Sequence, residues 1–419
     1  MRNRESIIGN IDWVTVLLYF ILVFIGWLSI YTSSRGEEVS SIFDLSQRYG
    51  KQLLWIGLSV ILIVIVLLID AKFFSTFAFL FYAVMILILV AVLFFGKTVA
   101  GSKSWFQIGS FAIQPAEFAK FTTALALAKF LSMLNVDMRN IKTPVISILL
   151  MVLPALLILF QNDTGSAIVY ASFAIVLFRE GFSGIIIIFG LAMSVLFVLT
   201  LLFGEVYIIS SLVLVFTFIF IFFKKLRKHS RSLLAVLIMS VVFVFSVNYA
   251  FQHVLEPHQK KRINVLLGLE KDLKGAGYNV NQSKIAIGSG GFSGKGFRQG
   301  MLTRNHFVPE QSTDFIFCTI GEEWGFLGTL TVTLLFLALL IRLIYMAERQ
   351  RSRFARIYGY GVASVLFFHF AVNFGMTIGL APVGGIPVDF ISFGGYSLWG
   401  LNTLLIEFFK QDSEREKEI

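Results

Sequence analysis

The sequence predicts an all-α integral membrane protein, a polytopic helical bundle with about twelve transmembrane helices. Of its 419 residues, 57% are hydrophobic and only 14% are charged, and the mean hydropathy is +0.82. A soluble domain carries roughly a quarter charged residues. Apolar runs long enough to cross about 30 Å of hydrocarbon recur along the whole chain. We therefore expect one membrane domain over residues 1–419 rather than soluble domains on a tether.

Twelve apolar segments are predicted to span the membrane. They lie near residues 12–32, 52–69, 75–96, 116–134, 144–160, 165–179, 183–203, 207–223, 232–253, 318–345, 356–380 and 391–409. Several are shorter than the usual ~20 residues, which favours tilted or broken helices. The first segment lacks a small-residue cleavage site and is too long for a signal-peptide core, so we expect it to remain as a helix.

The positions of Lys and Arg indicate the orientation of the helices. Basic clusters such as MRNRE and ERQRSRFAR fall on one side if both chain ends are cytoplasmic. The net charge of +10 then reflects membrane topology, and we expect no nucleic acid partner. The longest outer loop, residues 254–317, is also basic, but loops of about 60 residues are largely exempt from the positive-inside pattern. Its cations indicate either an anionic ligand or attraction to lipid headgroups.

The stretch from Gly101 to Lys120 joins an outer loop to the start of a helix. Trp105 suits the membrane interface, where amphipathic aromatic side chains gather. Glu117 and Lys120 are three residues apart and share one face of the helix that starts after Pro115. An acid and a base facing the bundle interior indicate a functional cavity, and snorkelling to water is the alternative.

Two further stretches have both a structural and a functional interpretation. QNDTGS, residues 161–166, places Asp163 either in a tight turn or at a cavity between broken helices. GSGGFSGKGF, residues 288–297, fails the phosphate-loop pattern because Lys295 is followed by Gly296. We expect tight turns there, with backbone anion binding as the alternative. The histidines and the single Cys318 show no metal-ligand spacing, so no metal site is predicted.

The stretch VPEQSTDFIF, residues 308–317, places Asp314 at the threshold of an apolar segment. A helix beginning near Thr313 would make Asp314 a favourable N-terminal charge. The functional alternative is a general base acting on a hydroxyl at the boundary between water and membrane. The glycine- and proline-interrupted residues 373–395 are expected to line the same cavity, because irregular backbone at membrane depth needs polar partners.

Six stretches of the sequence resemble, in order and across almost the whole chain, the SEDS family of bacterial cell-wall polymerases. They are SWFQIGSFAIQPAEFAK, QNDTGSA, PHQKKRI, GAGYNVNQSKIAIGSGGFSGKGF, VPEQSTDFIFCTIGEEWGFLG and NFGMTIGLAPVGGIPVDFISFGG. The stretch with GSGG and GKGF is more similar to elongation members than to division members. Three departures stand out. Residues 161–166 differ from the usual QPDLGT, Asp389 interrupts the usual PLPF, and residues 183–253 hold an extra helix pair beyond the usual ten.

The resemblance implies a peptidoglycan glycosyltransferase that polymerises lipid II, a disaccharide-peptide carried on undecaprenyl pyrophosphate. Asp314 matches the catalytic aspartate of the family and would accept the proton of the acceptor sugar's 4-hydroxyl. The other implied substrate-binding residues are Trp105, Glu117, Lys120, Asp163, Arg262, Gln282, Lys284 and Ser289. Lys120 and Arg262 are expected to stabilise the leaving pyrophosphate, with Glu117 holding Lys120. Asp163 would shape the cavity.

Partners and location also follow from the resemblance. They include a class B penicillin-binding protein that acts as transpeptidase and other membrane proteins of the elongation complex. The site would lie at the outer face of the bacterial cytoplasmic membrane. No cofactor is implied, and a divalent metal at the pyrophosphate is left open. Two alternatives remain: a flippase for the same precursor, for which a polar cavity between broken helices would also serve, and a scaffold that only recruits the transpeptidase.

Overall fold

The computed structural model describes residues 7–34, 41–99, 101–109, 111–134, 136–223, 227, 230–270 and 275–415. The helices named below are α1 (Trp13–Ser34), α2 (Arg48–Leu68), α3 (Ala71–Phe95), α4 (Pro115–Leu131), α5 (Lys142–Phe160), α6 (Thr164–Arg179), α7 (Gly184–Phe203), α8 (Glu205–Phe222), α9 (Ser230–Tyr249), α10 (Pro257–Leu266), α11 (Ala276–Ser289), α12 (Met301–Arg304), α13 (Ile316–Glu348), α14 (Arg353–Ile378) and α15 (Gly395–Glu414). The chain forms two compact units, residues 183–278 and the remainder.

The predicted all-α, polytopic helical fold is confirmed. Each of the twelve predicted segments corresponds to a helix, counted over the described residues. Within the described residues, eight helices are long and apolar enough to cross a membrane: α1, α2, α3, α5, α8, α9, α13 and α14. Helix α6 and the stretch Ile188–Phe203 of α7 are shorter but apolar, and α4 has 17 residues that include buried charges. The number of segments that cross the membrane stays a prediction.

A small antiparallel sheet occupies the predicted outer loop before α4. Its strands are β1 (Lys97–Val99), β2 (Ser102–Ile108) and β3 (Phe111–Ile113), in the order β1-β2-β3. The Ser102 hydroxyl and the Lys103 amide both donate to the carbonyl oxygen of Gln161 at 2.9 Å. The sheet is therefore fixed to the turn that follows α5. The sequence did not predict these strands, because two of them have only three residues.

The first unit is organised around α14. Buried residues make up 61% of its most apolar stretch, against 6% for α8 in the second unit. It packs against α4, α6, α13 and α15. Since a helix surrounded by protein is free to carry polar groups inward, α14 and α4 are the elements on which an internal site can be built.

Residues 254–317, predicted as a long loop, contain helices α10, α11 and α12 among their described residues. The glycine-rich segment 288–297 then packs on a break in α13 at Gly325, whose φ of 62° and ψ of −155° are not helical. The amides of Lys295 and Gly296 donate to the carbonyls of Glu322 and Glu323 at 3.0 and 2.9 Å. Two amides beyond the break donate back to the segment at 2.9 and 3.1 Å. The predicted turns are present. The amides of Lys295 and Gly296 already donate to α13, so they are not available to bind an anion.

The second unit is a small helical cluster. Helices α7, α8 and α9 meet around Leu196, Ile208 and Val244. Asn248 of α9 donates to the carboxylate of Glu205 of α8 at 2.7 Å, which joins the two helices near one end. The extra helix pair predicted within residues 183–253 therefore belongs to a unit with its own apolar core.

Candidate active site

Asp314 lies on a turn of residues 309–315, called here the Asp314 turn, directly before α13. The helix begins at Ile316 with Phe315 as its N-cap, three residues after the start near Thr313 that the N-terminal-charge interpretation of Asp314 uses. Asn373 of α14 donates to the backbone oxygen of Asp314 at 2.8 Å. The Asp314 side chain is half-buried. A buried amide of α14 therefore holds the backbone of Asp314 in place.

The irregular residues 379–394, called here the wall segment, lie against this turn. Phe393 donates its amide to the Ser312 oxygen at 2.8 Å, and the Ser392 hydroxyl donates to the Thr313 oxygen at 2.7 Å. A Cβ atom on Gly385 would lie 3.7 Å from Oδ2 of Asp314. The wall segment therefore faces the Asp314 carboxylate, as the sequence led us to expect of residues 373–395.

Glu117 and Lys120 point into the protein and not to water. Their exposed fractions are 4% and 1%, and Lys120 Nζ donates to the two Glu117 oxygens at 2.9 and 2.8 Å. The same ammonium lies 2.9 Å from Nε2 of His369 on α14. His369 Nδ1 lies 2.9 Å from Oδ1 of Asp389, at ion-pair distance but without hydrogen-bond alignment. Neither Glu117 nor Lys120 reaches water, so the snorkelling alternative is excluded. Asp389 belongs to the same buried group of charged or titratable side chains.

Asp163 caps α6 and contacts Gln114, which lies between β3 and α4. One carboxylate oxygen accepts the amide of Ser166 at 3.0 Å, and the other accepts the side-chain amide of Gln114 at 2.5 Å. Burial is the largest influence on this carboxyl and raises its pKa above the usual value. Gly165 packs directly on the carbonyl of Gly384 in the wall segment. The turn and the cavity interpretations of QNDTGS are therefore compatible.

Trp105 contacts Tyr396, which sequence reasoning missed. Their rings meet edge to face with centroids 4.6 Å apart and planes at 88°. Tyr396 is the second residue of α15, so the ring contact joins the sheet before α4 to the start of α15. A tyrosine directly after two glycines was the available signal.

The predicted substrate-binding residues of α10 and α11 lie in different surroundings. The exposed Lys284 places its ammonium on the backbone of Gly379, at the start of the wall segment. The Ser289 hydroxyl donates to the Ala286 oxygen of its own helix at 2.8 Å, and Gln282 is half-buried. Arg262 is half-buried on α10, in the second unit. Lys284 therefore contacts the wall segment, and the roles of Gln282, Ser289 and Arg262 stay predictions.

Arg48, the first residue of α2, is a cation that sequence reasoning did not select. Its guanidinium donates to the Ser312 hydroxyl of the Asp314 turn and lies over the Phe393 ring at 6.0 Å. In the described part of the chain it forms no ion pair. It opens onto a cavity of about 410 Å³ that is also lined by His306 and Gln311. An arginine at the start of an apolar helix was the available signal.

The described residues contain no group of three or more His, Cys, Asp or Glu side chains placed to hold a metal ion. The site is instead a set of carboxylates, cations and backbone groups where helices end. Long apolar helices around such a site define a polytopic membrane protein with an internal polar centre. The chain belongs to the FtsW, RodA and SpoVE family, described as cell cycle proteins, whose model matches residues 12–216 and 209–407.

Curated relatives extend over nearly the whole chain. The peptidoglycan glycosyltransferase RodA of Treponema pallidum is 34% identical, covering 95% of this chain and 96% of its own. The peptidoglycan glycosyltransferase MrdB of Escherichia coli K12 is 30% identical, covering 92% and 89%. Among solved structures, one from work on polymerisation and crosslinking by a peptidoglycan synthase complex matches with a TM-score of 0.72 and 24% identity, covering 97% and 99%. RodA of Thermus thermophilus matches with a TM-score of 0.62 and 22% identity, covering 97% of both chains.

Proposed function

We propose that this protein is a peptidoglycan glycosyltransferase that polymerises lipid II into glycan strands during cell elongation. Its relatives at 34% and 30% identity are both named peptidoglycan glycosyltransferases, which favours an enzyme over the flippase and scaffold alternatives. The observation that carries the proposal is the position of Asp314. Its half-buried carboxylate lies between an apolar helix and an irregular wall segment, so it is placed for a substrate with a lipid tail and a sugar head.

Asp314 acts as the general base of this reaction. It accepts the proton of the acceptor sugar's 4-hydroxyl while that oxygen bonds to the anomeric carbon of the donor. The bond between that carbon and the pyrophosphate breaks, and pyrophosphate leaves with its lipid. The Asn373 hydrogen bond to the Asp314 backbone holds the carboxylate opposite the wall segment. Such fixed placement of a reacting group is a large part of enzymatic rate enhancement.

Two kinds of cation support the departing pyrophosphate. Lys120 uses all three of its N–H donors on Glu117 and His369, so it acts through its fixed charge. Arg48 opens onto the cavity beside the Asp314 turn and keeps donors for an anionic group of the substrate. We add Arg48 to the predicted substrate-binding residues, which remain Trp105, Glu117, Lys120, Asp163, Arg262, Gln282, Lys284 and Ser289.

The proposed setting is the bacterial cytoplasmic membrane, with both chain ends in the cytoplasm and residues 254–317 outside. The two units would then form one SEDS-type membrane domain. A class B penicillin-binding protein is the proposed partner. The solved structure with a TM-score of 0.72 supports this, since it comes from work on the coordination of polymerisation and crosslinking by a peptidoglycan synthase complex. Other membrane proteins of the elongation complex complete the proposal.

The experiment that tests the proposed function separates synthesis from transport. The protein is purified with its transpeptidase partner, supplied with lipid II, and the products are resolved by length on a gel. Long glycan strands are expected. Lipid II that crosses vesicle membranes without forming any polymer would overturn the proposal in favour of the flippase.

A further inference from the structure

His369 and Asp389 extend the Glu117–Lys120 pair into a buried chain of four charged or titratable groups. Both are 1% exposed. His369 lies 2.9 Å from the Lys120 ammonium on one side and 2.9 Å from the Asp389 carboxylate on the other. Neither Asp389 oxygen has a hydrogen bond within the described structure. Burying a carboxylate without hydrogen bonds is costly, so its contact with the ring calls for a role.

The chemistry of Lys120 fixes how the imidazole is used. An ammonium group only donates, so the His369 Nε2 that faces it must accept. The ring proton then lies on Nδ1, on the side of Asp389. Two Glu117 oxygens take the other Lys120 donors. Lys120 is therefore held from two sides, by Glu117 of its own helix and by His369 of α14.

The same face of α14 also holds the Asp314 region. Asn373 lies one helical turn after His369 and donates to the oxygens of Asp314 and Ile386 at 2.8 and 2.6 Å. Asp389 and Ile386 are three residues apart in the wall segment, so α14 contacts that segment at two points. Displacing Asp389 would move the segment relative to both Lys120 and Asp314.

We propose that His369 and Asp389 are positioning residues of the glycosyltransferase reaction. Asp389 orients the His369 ring, and the ring fixes the Lys120 ammonium relative to the wall segment and the Asp314 turn. This inference rests on the proposed function. Neither residue touches the reacting atoms; both act through Lys120 and through the backbone that carries Asp314.

The test compares two double variants in the purified complex with lipid II as substrate. The pair His369→Leu with Asp389→Leu removes both polar groups, and loss of both partners of a buried pair is often neutral for stability. The pair His369→Gln with Asp389→Asn keeps an acceptor for Lys120. Thermal unfolding, kcat and KM are measured for both pairs. A purely structural role would leave kcat unchanged in any pair that unfolds at the wild-type temperature.

We expect the leucine pair to unfold near the wild-type temperature but to lose about 10-fold to 100-fold in kcat with little change in KM, since small misplacements of catalytic groups cost rates of this size. The amide pair should keep most of its kcat. Wild-type kcat in the leucine pair would overturn the inference, as would an equal loss in both pairs. If the leucine pair fails to fold, the amide pair is compared with His369→Gln/Asp389→Leu, in which kcat should fall.

Failure of this inference is distinguishable from failure of the proposed function. Wild-type protein that makes glycan strands, together with a fully active leucine pair, would leave the glycosyltransferase intact and remove only the positioning role. Absence of strands from wild-type protein would remove both.

Discussion

Replacing Gly290 with alanine is expected to push the glycine-rich segment away from the first turns of α13. Gly290 is buried, and a Cβ atom there would overlap the carbonyl oxygen of Gly321 and lie 3.0 Å from that of Glu322. These are backbone atoms, so no side-chain rotation can relieve the contact. Gly288, two residues earlier, has no heavy atom within 4 Å of the same position. It provides a matched control for the same substitution.

The two substitutions should change stability in opposite directions. Overpacking a well-packed interior costs about 1–3 kcal/mol, so Gly290→Ala should lower the free energy of unfolding by that amount. Gly288 lies within α11, where alanine is favoured over glycine by about 0.5–1 kcal/mol. Because α13 begins directly after the Asp314 turn, Gly290→Ala should also reduce polymerisation.

The assay is thermal unfolding of the two purified variants and the wild type in the same detergent, followed by lipid II polymerisation. A lower unfolding temperature for Gly290→Ala and an equal or higher one for Gly288→Ala are expected. Equal shifts for the two variants, in either direction, would refute the close packing of Gly290 on the backbone of α13 at Gly321.

Two further predictions concern the polar site. Arg48→Gln should raise KM for lipid II about 10-fold or more, as expected for loss of a charge-assisted hydrogen bond. Lys51→Gln, on the exposed surface one turn later, should leave KM unchanged. Equal KM values for the two variants would count against a role of Arg48 in substrate binding. Because burial raises the pKa of Asp163 from 3.8, folding disfavours its charged form, and stability is lost as pH rises from about 4 through the folded pKa. Asp163→Asn, which can still cap α6, should therefore gain unfolding temperature relative to wild type between pH 4 and pH 7, and a pH-independent difference would contradict this.

The helices were predictable because hydrocarbon demands long apolar runs, and those runs are visible in any one sequence. Local spacing was equally informative where both partners lie on one element. The contact of Glu117 with Lys120 follows from their three-residue offset on α4. In the structure, Lys120 Nζ lies 2.9 Å from Oε1 of Glu117.

The remaining features depend on contacts between distant parts of the chain. Arg48 meets Ser312 across 264 residues, and His369 meets Lys120 across 249. No local pattern records such pairs. Asp389 illustrates the difference: the sequence showed it only as a departure from the PLPF pattern, whereas the structure places it beside a buried histidine. The helix begins three residues after Thr313 for a related reason, because Asn373 and the wall segment hydrogen-bond to the Asp314 turn.

The most direct test of the account compares lipid II polymerisation by wild type, Asp314→Asn and Asp137→Asn, each purified with the transpeptidase partner and checked for folding and complex formation. Asp137 is exposed in the turn between α4 and α5 and serves as the control. We expect strands from wild type and from Asp137→Asn, with the rate of Asp314→Asn reduced about 100-fold to 10,000-fold, as expected for loss of a general base. Polymerisation by Asp314→Asn at the wild-type rate would contradict the assignment of Asp314 as the catalytic base.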